Sequence, residues 1–397
     1  MSQIRRNSAN MKIQYLFHIV FVSLFLSFVS KIEGVCSIKT PFLAEVSFMV
    51  VDYKYSSSRG VKVCEVQHST LSKYRGDYAL YGYPGNISKN FCGFLQRHQN
   101  NNIWYVNNAC HDPALKAEIK NYPWNSFDNV SDLLEDDEFI ERYLQPVKDP
   151  TSINDYHGFV YLKPSGIRML KRLQVENPGI LVLDVATIPF WKDKYKMSLL
   201  FQKDSQLSKY KPYWNLYEKK YSRKLAKNII NDLGGDMFVI KPRGGFHGNG
   251  VLIADRSTLD KVLYQIIKKA SKLSNHPDPS YSYWYSDKHD TFIVEAYSPT
   301  DPKPIPQFDN KLYDPTIRTG FVAYYHNGDI QIDFLGSYWK IPLVSLEDEG
   351  TLTDKHKSDG GFPNVMKLSD EEWEEIEVHL RECLTLLYKQ FLEYKEK

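Results

Sequence analysis

A lysine followed by a glycine-rich loop, set between two apolar runs, is the feature that most constrains the fold. Residues 237–240 lead to Lys241, four glycines follow before residue 251, and residues 251–254 form the second apolar run. This order predicts two strands joined by a flexible loop. Glycines let backbone N–H groups approach an anion closely, and a lysine adds positive charge.

The same stretch differs from the common P-loop, in which the lysine follows the loop and a helix begins. Here Lys241 comes first and the loop joins two strands, which predicts a hairpin lid over a triphosphate. An ordinary glycine-rich hairpin with an edge lysine is the alternative. The rest of the chain has to decide between the two interpretations.

Length and charge narrow the class of protein. The chain has 397 residues, enough for two or three domains, and a formal net charge of +2. No strong field of one sign and no nucleic-acid-binding motif is present, so nucleic acid is not an expected partner. Its 28 tyrosines and 21 phenylalanines supply the material for large cores.

The N-terminal segment resembles a secretory leader. Arg5, Arg6 and Lys12 precede an apolar run over residues 13–29, the layout of a signal peptide. We therefore expect residues 1–35 to be a signal peptide or membrane anchor. The protein would be exported (periplasmic, secreted or ER-routed) or anchored through residues 13–30. A buried core helix is the alternative.

Five cysteines are an odd and sparse set, which does not indicate a disulfide scaffold. In an exported protein Cys92 and Cys110 are a candidate bridge, and Asn86 and Asn129 begin glycosylation sequons. No CxxC or Cys/His cluster indicates zinc.

Periodicity and turn residues predict a mixed α+β chain. Strands are expected over residues 44–53, 60–67, 158–162, 179–184, 291–297, 316–325 and 329–341. Helices are expected over residues 130–143, 165–174, 192–203, 217–233, 257–273 and 371–395. Residues 70–155 are otherwise predicted to be irregular, and residues 158–184 to form a small Rossmann-like α/β layer.

The order of these parts resembles the ATP-grasp family of ligases. Lys194, Lys241, the hinge at Glu295–Tyr297 and Arg318 occur in the family's order, and the resemblance covers roughly residues 190–345. It implies an ATP clamped between two α+β subdomains. Residues 36–190 would then form a substrate region and residues 191–397 the ATP-binding region.

Metal ligands are absent from the place where most members of that family carry them, but the first hairpin offers a substitute. It resembles the hairpin of circularly permuted members such as glutathionylspermidine synthetase and eukaryotic-type glutathione synthetase. Asp52, Glu65 and Gln67 would then hold Mg²⁺, because two carboxylates and an amide oxygen are hard ligands. The polar face of an ordinary hairpin is the alternative.

The chain departs from the family pattern in three places, one of which is the glycine-rich loop, where Phe246 and His247 stand instead of the additional acid that members often carry. Val50 stands where members often carry an arginine, so Arg59, Arg243 or Arg318 would have to replace its charge. Gln67 replaces an asparagine and lengthens the ligand arm.

The resemblance implies a role for each of a small set of residues. Arg318 and Lys241 would be catalytic. The ATP-binding residues would be Lys194, Lys241, Gly244, Gly245, His247, Gly248, Glu295 and Tyr297. Lys340, beside two aromatic residues, is interpreted as a core-edge lysine, and residues 356–361 as a loop.

The resemblance thus predicts an ATP- and Mg²⁺-dependent ligase that joins a carboxylate to an amine through an acyl phosphate, on a small-molecule or peptide-like substrate. A catalytically degenerate ATP-grasp protein that acts as an exported binding protein is the second hypothesis. A membrane-anchored enzyme facing the cytoplasm is the third.

Overall fold

The computed structural model describes residues 42–68, 74–99, 102–106, 112–162, 164–176, 179–190, 193–245, 248–358 and 364–394. The predicted leader and anchor, Cys110 and His247 lie outside these residues, so the predictions made for them are not tested. Within the described ranges, no helix combines the length and the apolar character needed to cross a bilayer.

Fifteen strands and thirteen α-helices, several of them very short, make up the described part of the chain. The strands are β1 Glu45–Ser56, β2 Gly60–His68, β3 Ile103–Val106, β4 Asn125–Phe127, β5 Phe159–Tyr161, β6 Leu181–Val182, β7 Trp214–Glu218, β8 Met237–Pro242, β9 Leu252–Asp255, β10 Thr291–Ala296, β11 Lys303–Pro304, β12 Leu312–Tyr313, β13 Thr316–His326, β14 Asp329–Lys340 and β15 Val365–Lys367. The helices are α1 Arg75–Tyr81, α2 Asn86–Gln99, α3 Pro113–Ile119, α4 Val130–Leu134, α5 Asp137–Tyr143, α6 Pro164–Glu176, α7 Lys194–Gln202, α8 Ser205–Ser208, α9 Leu225–Leu233, α10 Leu259–Leu263, α11 Pro279–Ser286, α12 Leu352–His356 and α13 Asp370–Glu393.

A five-stranded antiparallel sheet in the order β15-β14-β13-β1-β2 forms the first wall of the site. Strand β1, which lies between β13 and β2, is buried along almost its whole length. Apolar residues that alternate along β1 feed two cores, since Phe48 packs with α2 on one face and Val51 packs with α13 on the other. Both faces of the sheet are therefore covered, and this packing holds the side chains of its interior strands in fixed positions.

A second antiparallel sheet, in the order β7-β10-β8-β9, forms the opposite wall. Its own core contains Phe238, Ile240 and Val294, packed against α9 and α10. Strands β8 and β9 are joined by the glycine-rich loop, which confirms the predicted strand–loop–strand unit.

The predicted Rossmann-like layer is present as a parallel sheet in the order β4-β3-β5-β6. Helix α6 connects β5 to β6, which gives the β-α-β order expected from the sequence. Together the three sheets confirm the α+β class.

Two predictions of local structure were wrong. Residues 217–233 were predicted to be one helix, but their first residues belong to β7, which pairs with β10, and only Leu225–Leu233 are helical. Residues 70–155 were predicted to be mostly irregular, yet they contain α1, α2, α3, β3 and β4. Strand pairing and tertiary packing stabilise these elements, whose local signals are weak.

Candidate functional site

A cavity of about 320 Å³ lies between the two antiparallel sheets, a size typical of small ligand sites. We call it the cleft. Its lining residues are Asp52, Lys54, Cys64, Glu65, Arg75, Lys194, Pro212, Val239, Lys241, Gly248, Asn249, Val251, Ile253, Glu295, Ala296, Tyr297, Ser298, Thr316, Arg318, Lys340, His356, Lys357 and Ser358. Both walls and the end of the glycine-rich loop contribute, so distant parts of the sequence meet here.

Asp52 lies at the centre of the first wall, between two cations. Its register partner on β13 is Arg318, whose Nε and Nη2 donate to the two carboxylate oxygens at 2.7 Å each. Lys340, at the end of β14, donates to Asp52 Oδ2 at 3.1 Å. Burial raises the pKa of Asp52, but Arg318 and Lys340 outweigh it and hold that pKa well below the usual range. Asp52 is therefore ionised and fully engaged.

Glu65 lies directly opposite Asp52 in the β1–β2 pairing. Gln67 donates its side-chain amide to Glu65 Oε2 at 2.5 Å, and Lys194 Nζ lies 3.5 Å from Oε1. Lys194 begins α7, where the Asp193 side chain caps the helix. Its ammonium also donates to the carbonyls of Gly244 and Gly245. Lys194 thus connects the first hairpin to the glycine-rich loop.

Lys241 and Glu295 form a buried ion pair on the second wall. Lys241 Nζ donates to Glu295 Oε2 at 2.6 Å and to the Cys64 carbonyl at 3.0 Å. Lys211 donates to the other oxygen of Glu295 at 2.7 Å. Burial lowers the pKa of Lys241, but Glu295 and its neighbours outweigh it and raise that pKa above the ordinary value. Lys241 is therefore a permanent cation at the cleft surface.

The far end of the cleft is apolar on the side of the second sheet, where Val239, Val251 and Ile253 line it. The ring of Tyr297 adds an aromatic surface, while its hydroxyl bonds Asp314 Oδ2 and His356 Nδ1. An apolar, partly aromatic surface beside the lysines and arginines of the cleft is suited to a flat base that carries an anionic tail.

The carboxylate of Asp314 contacts several groups close to Tyr297. His356 Nδ1 lies 2.7 Å from its Oδ2, and Lys54 Nζ lies 2.9 Å from its Oδ1. The backbone N–H of Thr300 donates to the same Oδ1 at 2.8 Å. Burial raises the pKa of Asp314, but Lys54 and His356 lower it overall. This network fixes the hinge after β10 to the first sheet.

Close packing shapes the end of the glycine-rich loop. Gly250 has φ +73°, and a Cβ at this position would lie 2.7 Å from both Pro242 Cγ and Tyr283 Cδ1. The backbone conformation and the lack of space both require glycine here. The preceding residue, Asn249, lines the cleft.

We therefore expect Gly250→Ala to destabilise the protein by about 2–4 kcal/mol, the sum of left-handed strain and overpacking. Urea denaturation would measure the loss. Gly328→Ala is the matched control, because Gly328 has φ +94° with nothing within 4 Å of its Cβ position. That variant should lose only about 1–2 kcal/mol, and equal losses in the two variants would contradict the steric explanation.

The structure brings most of the predicted residues together. Asp52, Glu65, Lys194, Lys241, Gly248, Glu295, Tyr297 and Arg318 all line the cleft. Gln67 and Gly245 instead line a narrower adjoining cavity. Gly244 approaches the ring of His289, 2.8 Å from its Cβ position, and contributes a carbonyl to Lys194.

Three arginines were proposed to replace the charge missing at Val50. Arg318 lines the cleft. Arg243 pairs with Asp193 outside it, and Arg59 donates to the Pro299 carbonyl at the surface. Val50 itself is fully buried in the core.

Sequence analysis missed several cations of the site. Lys340 was interpreted as a core-edge lysine, but it lines the cleft and binds Asp52. Lys211 lies between α8 and β7 in no recognisable motif. Lys54 could have been predicted, because it lies two residues after Asp52 on β1 and therefore on the same face of that strand.

The predicted magnesium ligands do not fit a divalent cation in their observed pairing. Both oxygens of Asp52 accept from Arg318, and Lys340 adds a third bond. Gln67 presents its amide N–H, a donor, to Glu65. Among the described residues, no group of three or more His, Cys, Asp or Glu side chains could hold a metal ion.

Comparisons of this chain with known proteins gave matches among solved structures. No protein-family model and no curated protein matches it. Among solved structures it is similar to the D-cycloserine synthetase DcsG, with 10% identity and a TM-score of 0.30 over 57% of this chain and 60% of that one. A glutathione synthetase-like effector from Globodera pallida matches at 10% identity and a TM-score of 0.40, over 79% and 76% of the two chains.

A third similar structure is D-alanyl-alanine synthetase A from Vibrio cholerae O1 biovar eltor, with 13% identity, a TM-score of 0.31 and 58% of each chain covered. The chain thus spans 60% and 58% of the lengths of the two synthetases.

Proposed function

We propose that the cleft binds ATP and that the protein is an ATP-dependent ligase joining a carboxylate to an amine. The charge of the cleft is the observation that carries this proposal. Among the described lining residues are seven lysines and arginines but only three carboxylates, an excess of four positive charges. A site of this kind attracts a polyanion, and its low-dielectric walls strengthen the attraction.

The arrangement suggests a role for each group. The apolar end beside Tyr297 would accept the adenine base, and Lys241 and Lys194 would bind phosphate oxygens. Backbone N–H groups of the described part of the glycine-rich loop would cover the phosphates, as such loops do. Arg318 and Lys340 would lie where the substrate carboxylate meets the γ-phosphate.

In the proposed reaction, the substrate carboxylate attacks the γ-phosphorus and ADP leaves. The amine then attacks the carbonyl carbon of the acyl phosphate, phosphate leaves, a proton is released and an amide bond forms. Catalysis would come from positioning and from fixed positive charge. The acid and the amine would be small-molecule or peptide-like, as the family resemblance implies.

A second function is favoured by one specific observation. Asp52 is held by Arg318 and Lys340, and Val50 occupies the place of an expected arginine. A cleft with this pairing would bind nucleotide without turning it over. In this candidate function the protein is a binding protein, exported if the N-terminal segment acts as a leader.

The first test compares two lysines on the same helix. Lys194 lines the cleft, whereas Lys196, two residues later, is exposed. We expect Lys194→Ala to weaken ATP binding by about tenfold, the value of one charge-assisted bond, and Lys196→Ala to leave it unchanged. Isothermal titration of the full chain with ATP would measure both.

The outcomes separate the candidate functions. Hydroxylamine would trap an acyl phosphate as a hydroxamate, so a panel of carboxylic acids with ATP and hydroxylamine tests turnover. ATP binding with hydroxamate formation supports the ligase, and ATP binding without turnover of any acid supports the binding protein. Absence of ATP binding in the unaltered protein would contradict both.

A further inference from the structure

We propose that the cleft takes its nucleoside triphosphate as the free anion rather than as a metal chelate. Arg318 and Lys340 would supply the charge that a divalent cation supplies in other nucleotide sites. Asp52 would then be a positioning residue for these two cations. This inference rests on the ATP binding proposed above and adds the form in which the nucleotide is bound.

The hydrogen bonds of Asp52 are the first support. Its carboxylate accepts from Arg318 at 2.7 Å on each oxygen and from Lys340 at 3.1 Å on Oδ2. A divalent cation binding these oxygens at about 2.1 Å would face a guanidinium and an ammonium at close range. The repulsion would be large because the group is buried, with side-chain exposures of 6% for Arg318 and 10% for Asp52.

The second carboxylate is also engaged. Glu65 Oε2 accepts the Gln67 amide at 2.5 Å, and Oε1 lies 3.5 Å from Lys194. Gln67 belongs to the adjoining cavity rather than to the cleft that would hold the phosphates. The three predicted ligands therefore do not present their oxygens to one common point.

The charge balance of the cleft is the third support. The excess of four positive charges among its described lining residues is close to the roughly four negative charges of a free triphosphate at neutral pH. A magnesium chelate would bring only about half that negative charge, so part of the net positive charge would remain unbalanced in a confined space. The described cations alone balance the free anion.

The strand geometry explains why the cations stay in place. Arg318 on β13 is the register partner of Asp52. Lys340 on β14 pairs with Thr316, which lies on β13 two residues before Arg318. Residues two apart on a strand point to the same face, so the sheet itself holds both cations on the cleft side. Asp52 binds both cations through one carboxylate.

The test is ATP titration of the full chain by calorimetry in EDTA and in excess Mg²⁺. We expect the affinity in EDTA to equal that in Mg²⁺ within about threefold, or to exceed it. Affinity that is tenfold or more higher with Mg²⁺ would overturn the proposal. No ATP binding in either buffer would instead refute the proposed function, so the two failures are distinguishable.

Variants of Lys340 give a second readout. Lys340→Met should weaken ATP binding in EDTA by about tenfold and weaken it less in Mg²⁺, because the metal can replace the lost charge. Lys340→Arg should retain the metal-independent affinity of the parent protein. Equal loss in both buffers for Lys340→Met would contradict the charge-replacement role.

Asp52→Asn distinguishes a positioning residue from a metal ligand. We expect it to change ATP affinity by the same factor in EDTA and in Mg²⁺, because it removes one negative charge and the bonds that orient Arg318 and Lys340 but no metal ligand. A loss confined to the Mg²⁺ buffer would identify Asp52 as a metal ligand and overturn the proposal. Tripolyphosphate, tested alongside ATP, should show the same metal independence if the phosphates carry it.

Discussion

Replacing Lys241 with alanine is expected to weaken ATP binding by about 10- to 100-fold, as expected for a buried charge-assisted contact. Lys241 lines the cleft and is held there by Glu295 and by the Cys64 carbonyl. The fold should survive, because Lys211 still neutralises Glu295 after the change. Calorimetric titration with ATP would give the affinity, and urea denaturation would give the stability.

Lys211→Ala is the matched control for this change. Lys211 binds the same carboxylate at nearly the same distance, 2.7 Å against 2.6 Å, but it lines the adjoining cavity rather than the cleft. Both variants remove one of the two cations on Glu295 and should lose similar stability. Only Lys241→Ala should lose ATP affinity, and an equal loss of affinity in both would exclude Lys241 from the phosphate site.

The second large effect is on stability, and it comes from Arg318. Arg318→Ala should lower the free energy of unfolding by about 3–5 kcal/mol, because a buried carboxylate loses its bidentate partner. Asp52 would keep only the single bond from Lys340. Urea denaturation at neutral pH would measure the loss, and the Asp52→Ala, Arg318→Ala double variant should recover part of it.

Arg243→Ala controls for burial in this experiment. Arg243 also makes a bidentate contact, with Asp193, but the two side chains are 29% and 19% exposed. Its replacement should cost at most about 1 kcal/mol, since water screens the pair. If both arginine variants lost the same stability, burial of the Asp52 pair would not explain its strength.

We expect low pH to weaken the contribution of the Asp52–Arg318 pair to stability. The pKa of Asp52 is depressed in the folded protein, so its ionisation stabilises the fold above the ordinary carboxyl pKa. This contribution is lost only as the pH falls far into the acid range. At neutral pH the pair is intact, which is the condition under which the variants should be compared.

Local sequence patterns were enough to predict the first hairpin and the placement of its polar residues. Glu65 and Gln67, two residues apart, were expected on one face with Asp52 opposite, and the register places Asp52 directly across from Glu65. The strand–loop–strand unit at Lys241 was predicted on similar grounds. In each case the signal is a short spacing, which strand geometry converts into a position.

The partners of these residues were beyond such patterns. Asp52 meets Arg318 and Lys340 across 266 and 288 residues of chain. Nothing in the neighbourhood of Lys340 distinguishes a cleft residue from a core-edge lysine, because the difference arises from the pairing of β14 with β13. The predicted metal role of Asp52 was likewise based on the hairpin alone, without the cations that the distant strands bring.

The position of β1 inside its sheet also affects how the chain folds. This strand lies between β2 and β13, so one of its edges has no partner until residues beyond 316 have been made. During synthesis, the first hairpin therefore remains without its β13 partner until most of the polypeptide has emerged. Its apolar edge strand is available for incorrect pairing during this time. Folding dominated by such long-range contacts is slow and prone to aggregation, and the growing chain would benefit from protection by chaperones.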